Sequence, residues 1–406
     1  VSLDAAAARG LWKMSHVRVL LASYDAIADG PGRSQTIPYL RGLAGLGHSM
    51  SMLSFERREV LADAARLAEV EAELGGAPWT RVPWRRSPAR DLASGLAAMR
   101  RAVKGHRAAL VHARGYVPAF LAQRLGVPFL FDMRGFWPDE RADGGLWKRT
   151  GLGYRIWKRI ERTLCRDARA IVVLTERAKG ELRRLGLAPA ATAVRVIPTC
   201  ADLARFRPVP AAERPPECDG DTPRYLVLGS TGTWYLREET LDLAALALRR
   251  DPRAMLHVLT LDAPAPLAAG LARRGVPSDR VLVRAVPPAD VPRWISGARA
   301  AFVLLRSTWS KGASCPTKFG ELLGCGVPVV MSAGIGDADR ILGADGVGVT
   351  VSGYDEASLG RALAALDDLH AAGGAAERCR ALAEREFALP SGVERYDAAY
   401  RECATA

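Results

Sequence analysis

Short apolar runs alternate with longer stretches of helical period along most of this chain. Residues 17–22, 49–54, 109–112, 129–132, 170–174 and 194–197 read as strands, and a second series follows at 224–228, 255–259, 280–285, 300–305, 327–332 and 348–351. Strands separated by helices imply parallel βαβ units, because a parallel neighbour needs a crossover long enough to hold a helix. Between the two series, residues 207–223 carry prolines 208, 210, 215, 216 and 223 with no helix or strand period, which marks a linker. The pattern predicts an α/β protein of two Rossmann-like, doubly wound domains facing a cleft, at 14–207 and 222–385, joined by a linker at 208–221. Residues 1–13 lack a cationic segment followed by an apolar one, so they read as a mobile prefix and not as a secretory signal. Val393, Tyr396 and Tyr400 stand at helical spacing, and 386–406 therefore reads as a C-terminal helix that can return to the first domain.

Composition narrows the class. About half of the 406 residues are apolar and 25% are charged, which is globular and not disordered. There is no run of 18 apolar residues to suggest a spanning helix. Seven cysteines without a Cys-x-x-Cys argue against a disulfide framework or a structural zinc, and a reducing, cytoplasmic location is expected. The net charge of +13 is uneven: residues 1–210 hold 35 Lys+Arg against 19 Asp+Glu, and the remainder holds 22 against 25. A basic first half suits nucleic acid, an anionic membrane or an acidic substrate. Part of it lies in 147–166, where Trp147, Tyr154 and Trp157 mix with cations and Ile156, Ile160 and Leu164 mark one helical face. That segment reads either as an interfacial helix on anionic lipid or as a core-facing helix with a solvated basic surface. No RNA-binding sheet motif or aromatic–basic repeat accompanies it, so nucleic acid is not the expected partner.

Three segments at expected strand ends could carry chemistry. After the first strand, Gly30 and Gly32 open a helix whose free amides suit an anion; the spacing is not Gly-x-Gly-x-x-Gly, which disfavours a nicotinamide site. In the second domain, Gly229, Ser230 and Gly232 suit a diphosphate or sugar hydroxyls. The densest group is Ser314-Cys-Pro-Thr-Lys-Phe-Gly-Glu321: Pro316 suits a first helical turn, and Lys318 and Glu321 lie three apart on one face. A lysine with free amides can hold a diphosphate, while a carboxylate one turn deeper can accept from a ribose diol.

The stretch 314–330 resembles the donor-site signature of retaining glycosyltransferases of family 4, which have the GT-B fold. Segments 30–35 with Gly47-His48, 172–179, 196–202 and 206–208 match in the same order. The resemblance implies a nucleotide-sugar donor, expected to be a UDP- or GDP-sugar, held mainly by the second domain through Gly229, Ser230, Gly232, Ser314, Cys315, Pro316, Thr317, Lys318 and Glu321, with Gly30 and Gly32 of the first domain as further donor-binding candidates. The acceptor, a glycan, a lipid-linked sugar or a small molecule, would sit on the first domain. Glu321 corresponds to the family's ribose-binding glutamate, whereas Ala313 stands where the motif has its first glutamate. His112, followed by Arg114 where many members have a second histidine, is a catalytic candidate with Arg114, Asp132, Arg134 and Glu140; Asp139 is a further candidate base. No cofactor is expected, and no metal, since no His/Cys cluster has ligand spacing. A sugar-nucleotide epimerase on the same fold and a non-catalytic two-lobed binding protein are the alternatives. The basic first half adds a candidate peripheral contact with the inner face of an anionic membrane.

Overall fold

Thirteen strands form two all-parallel sheets in the computed structural model, which describes residues 16–28, 30–85 and 87–405. The prefix expected at 1–13 lies outside the described residues. The strands are β1 (Arg18–Ser23), β2 (Ser49–Glu56), β3 (Trp79–Pro83), β4 (Leu110–Arg114), β5 (Phe129–Asp132), β6 (Ala170–Val173) and β7 (Ala193–Val196), then β8 (Arg224–Leu228), β9 (Met255–Leu259), β10 (Val281–Arg284), β11 (Ala300–Val303), β12 (Val329–Ser332) and β13 (Gly348–Val351). The first sheet runs β3-β2-β1-β4-β5-β6-β7 and the second β10-β9-β8-β11-β12-β13. Both orders reverse beside their first strand, between β1 and β4 and between β8 and β11. Such switch points open a crevice at the strands' carboxyl ends. The expected α/β class holds, and strand limits differ from expectation by one or two residues.

Helices on both faces explain why the central strands are uninterrupted apolar runs. Val19, Leu20, Leu21 and Ala22 of β1 are all sealed, as are all four residues of β6. The strand not expected is β3, Trp-Thr-Arg-Val-Pro, an edge strand in which Val82 alone is buried. The segment 207–223 was expected to be without structure; it instead forms two 3₁₀ turns, Ala211–Glu213 and Pro216–Cys218. Buried Arg224 holds the second of them by donating to the carbonyls of Glu217 and Thr222, each at 2.9 Å.

The final helix, Leu389–Thr405, packs on the first lobe, where Val393, Tyr396, Ala399, Tyr400 and Cys403 join the cluster built on Val19, Leu21, Leu40 and Val172. Gly42 permits the crossing, because a Cβ there would stand 2.5 Å from a Val393 methyl. The two chain passages between lobes run side by side: the Ala201 N–H donates to the Phe387 carbonyl (2.8 Å) and the Leu389 N–H to the Ala201 carbonyl (3.1 Å). In the basic stretch, the helix Leu152–Asp167 buries Glu161, Leu164 and Cys165. Trp157 and Ile160 pack half-buried against the same core, whereas Ile156 is 45% exposed and Leu152 74%. The expected 156/160/164 stripe therefore does not turn inward as a unit. No helix among the described residues is long and apolar enough to cross a membrane.

Candidate active site

At the second switch point, β8 runs into Gly229-Ser-Thr-Gly-Thr-Trp-Tyr235. Gly229 adopts φ 79°, and a Cβ there would lie 3.1 Å from the Lys318 amine, so glycine leaves the lysine its place. The Thr231 N–H and hydroxyl both donate to Asp262 (2.7 and 2.8 Å), tying the loop to the end of β9, and Ser230 Oγ accepts from the Gly232 N–H. Across from it, the helix Thr317–Gly324 starts directly after Pro316, and its first amides have no intrahelical acceptor. Lys318 Nζ lies 3.8 Å over the Tyr235 ring. Burial pushes the Lys318 amine down to about 8, with Glu321 pulling the other way. Burial pushes the Glu321 carboxyl up to about 7, against the pull of Arg205 and Lys318. Neither side chain makes a hydrogen bond or ion pair among the described residues. Two desolvated opposite charges one helical turn apart, each without a bonded partner, are an arrangement that a ligand completes.

The first switch point holds a cavity of about 670 Å³ lined by Tyr24, Asp25, Arg114, Arg134, Trp137 and Glu140, among others. Strand register brings these together, since Ser23 pairs with Arg114 and Arg114 with Asp132. Arg114 donates to Asp25 at 2.6 Å. Arg134 takes φ 59°, a left-handed conformation that costs a non-glycine residue about 1 kcal/mol. From there it reaches Thr199 Oγ1 at 3.4 Å, and the Thr199 hydroxyl donates to the Cys315 carbonyl at 2.7 Å. Glu140 accepts from Lys311 Nζ (3.1 Å) and Ser314 Oγ (3.4 Å) of the second lobe, and Lys311 also lies 4.0 Å over the Trp234 ring.

Two catalytic candidates are corrected here. His112 and Asp132 were expected to face the cleft from their strand ends, yet both are 2% exposed and covered by the final helix. His112 Nδ1 meets the Tyr400 hydroxyl at 2.7 Å and Nε2 meets Asp132 at 3.4 Å, while the Tyr396 hydroxyl donates to Asp132 at 3.0 Å. Burial alone would raise the Asp132 carboxyl; Arg134, 3.8 Å away, and His112 reverse this and hold it below its ordinary value. Asp139 is likewise taken up, by Tyr154 (2.8 Å), Lys158 (2.9 Å) and Arg149 (3.2 Å). Arg114, Arg134 and Glu140 remain at the cleft.

Among the donor candidates, Lys318 and Ser230 border one small cavity, with Thr231 beside them. Ser314, Cys315 and Pro316 border a larger interlobe cavity, about 880 Å³, that neither Lys318 nor Glu321 lines, so its volume does not locate the nucleotide. Gly30 and Gly32 line none of the cavities described here. Gly32 is a packing glycine, whose Cβ would overlap the Ala26 carbonyl at 1.8 Å. Ala313 is buried in the apolar cluster of the first lobe. Sequence reasoning gave no role to Trp234 and Tyr235 at the end of the glycine loop, to Lys311 ahead of the donor segment, or to Asp262, whose contacts with the site are nonlocal. Two Asp-x-Asp pairs bear on metal binding. Asp219 and Asp221 are exposed in the linker, while Asp337 accepts from the Glu176 and Arg177 N–H groups and Asp339 from that of Gly334. No three His, Cys, Asp or Glu among the described residues converge as metal ligands.

Residues 36–200 match the model of a glycosyl transferase 4-like domain. In structure the chain is similar to the sucrose-phosphate synthase of Thermosynechococcus elongatus, at a TM-score of 0.75 and 17% identity, covering 96% of this chain and 99% of that one. It is also similar to Anabaena HepE solved in complex with UDP and glucose (0.69, 15%, 95% and 100%). A putative UDP-N-acetylglucosamine 2-epimerase from Listeria monocytogenes shares the fold as well (0.63, 13%, 96% and 96%). No curated protein matches the chain in sequence.

Proposed function

We propose that the chain, with a glycosyl transferase 4-like domain at residues 36–200 on two Rossmann-like lobes, is a glycosyltransferase of GT-B architecture that moves a sugar from a UDP- or GDP-sugar, with retention and without a metal, to a hydroxyl of a glycan, lipid-linked or small-molecule acceptor. The observation that carries the donor assignment is the unpartnered Lys318 and Glu321 at the start of helix Thr317–Gly324. In this reading Glu321 accepts from the ribose diol. Lys318 and the first amides of the helix meet the diphosphate, where negative charge builds as the glycosidic bond breaks. Arg134, held in a left-handed conformation at the lobe junction, adds a fixed guanidinium on the acceptor side. Glu140 is the carboxylate that orients or deprotonates the acceptor hydroxyl, since Asp132 is sealed beneath the final helix and Asp139 is taken up by other partners.

The exposed apolar side chains Leu146, Leu152 and Ile156 stand among exposed Lys148, Arg155, Arg159 and Arg162. This supports a peripheral contact with anionic lipid on the cytoplasmic face. Flotation with anionic but not neutral vesicles is the expected result, and equal behaviour with both would remove the membrane from the proposal. For the activity itself, UDP and GDP should raise the melting temperature, and the sugar of a labelled donor should appear on an acceptor. Interconversion of the free sugar nucleotide with no transfer would instead assign an epimerase.

A further inference from the structure

Beside the cleft cavity lies a second chamber of about 600 Å³, walled by Tyr24, Val117, Trp137, Arg141, Trp147 and Trp157. It shares Tyr24, Val117 and Trp137 with the cleft cavity, so the two are neighbours across one aromatic wall. Trp137 is the hub, packed edge to face on Trp147 (5.2 Å) and Trp157 (4.8 Å).

Arg141 is the unusual member. Its guanidinium lies over the faces of Trp137 (4.8 Å) and Trp147 (5.4 Å), its Nε is buried with no hydrogen-bond partner, and no carboxylate pairs with it among the described residues. The neighbouring Arg149 and Lys158 are paired, Arg149 with Asp139 and Asp143 and Lys158 with Asp139 and Glu161. A guanidinium presents five donors in a fixed fork that matches a carboxylate or phosphate, and ring stacking satisfies none of them. Asp91 forms another part of the wall, but its two oxygens are taken by the Tyr24 hydroxyl (3.1 Å) and the Arg85 N–H (2.9 Å). Its charge confines an incoming anion to the Arg141 end. Aromatic faces, meanwhile, offer a sugar ring a flat apolar surface.

We propose that this chamber is an acceptor subsite for an anionic sugar unit, whose ring lies against the tryptophan wall and whose carboxylate or phosphate is held by Arg141. The inference rests on the transferase reading of the cleft and names the class of acceptor. The test uses the full chain, with calorimetry and tryptophan fluorescence against glucuronate, glucose 6-phosphate, glucose and inorganic phosphate, and with UDP and GDP as independent ligands. Both anionic sugars should quench fluorescence and bind at least about tenfold more tightly than glucose, and glucose 6-phosphate should exceed inorganic phosphate. A stronger response to one anion identifies the acid group. Arg141→Met, which keeps a long chain over the rings, should remove that tenfold preference while UDP binding stays within about twofold. Equal affinity for glucose and its phosphate, or no fluorescence response to either anionic sugar, overturns the proposal. So does an Arg141→Met protein that binds them as the wild type does, and if that variant fails to fold, the wild-type ligand series decides alone. A wild type that binds neither UDP nor GDP would count against the transferase reading and not against the subsite.

Discussion

Replacing Lys318 by methionine should move two observables in opposite directions. Burial lowers the amine from 10.5 to about 8, and at about 1.4 kcal/mol per pH unit this is a penalty of about 3 kcal/mol on the charged form in the empty protein. Below pH 8 the folded state carries that penalty in full. Between pH 8 and 10.5 it fades, because the folded lysine sheds its proton before the unfolded one does. Methionine removes the penalty and also removes the contact with the Tyr235 ring, which is worth about 0.5–1 kcal/mol. The empty variant should therefore gain about 2 kcal/mol at pH 7.4 and melt a few degrees higher. The diphosphate then loses its cation, and truncating one member of a desolvated charge pair costs about 2–5 kcal/mol, which is at least about 30-fold in UDP affinity. Uridine, which has no phosphate, should bind nearly as before. Scanning calorimetry of the empty and UDP-loaded proteins, with titrations of UDP and uridine, reads all three quantities. An empty variant that melts lower, together with equal losses for UDP and uridine, would refute the reasoning and return Lys318 to a packing role.

Glu321 titrates near 7 and Lys318 near 8, so kcat/KM should rise as pH passes 7 and fall as it passes 8; Glu321→Gln should abolish the acid limb and weaken UDP and uridine alike. His112→Phe should cost about 1–3 kcal/mol in urea unfolding, because Tyr400 and Asp132 lose a buried partner, while KM for the donor stays unchanged; a normal stability with a large fall in kcat would restore His112 as a catalyst. Glu140→Gln should lower kcat far more than donor affinity, and an unchanged kcat would exclude it as the base. Activity should persist in EDTA; loss that magnesium or manganese repairs would overturn metal independence.

The architecture was readable because parallel strands covered on both faces leave unbroken apolar runs, as in β1 and β6. β3 escaped because an edge strand with one buried residue and a terminal proline leaves no such run. Lys318 and Glu321 were legible from local spacing, since three residues apart on a helix is one face wherever that helix sits. His112 and Asp132 were misread for the opposite reason: what covers them arrives from Tyr396 and Tyr400, and no local pattern announces so distant a helix. The aromatic–basic stretch was legible only in part. Trp147 and Trp157 turn inward to line a chamber with Trp137, while Leu152 and Ile156 of the same stretch stay outside.

The helix Leu389–Thr405 sets an order of events during synthesis. His112 awaits a hydroxyl 288 residues downstream and Asp132 one 264 downstream, so the first lobe emerges from the ribosome with an apolar face of its sheet uncovered. Through the whole translation of the second lobe that face is open to chaperones or to a neighbouring nascent chain. The lobe made first is thus the one completed last, and its assembly is tied to faithful synthesis of everything after it.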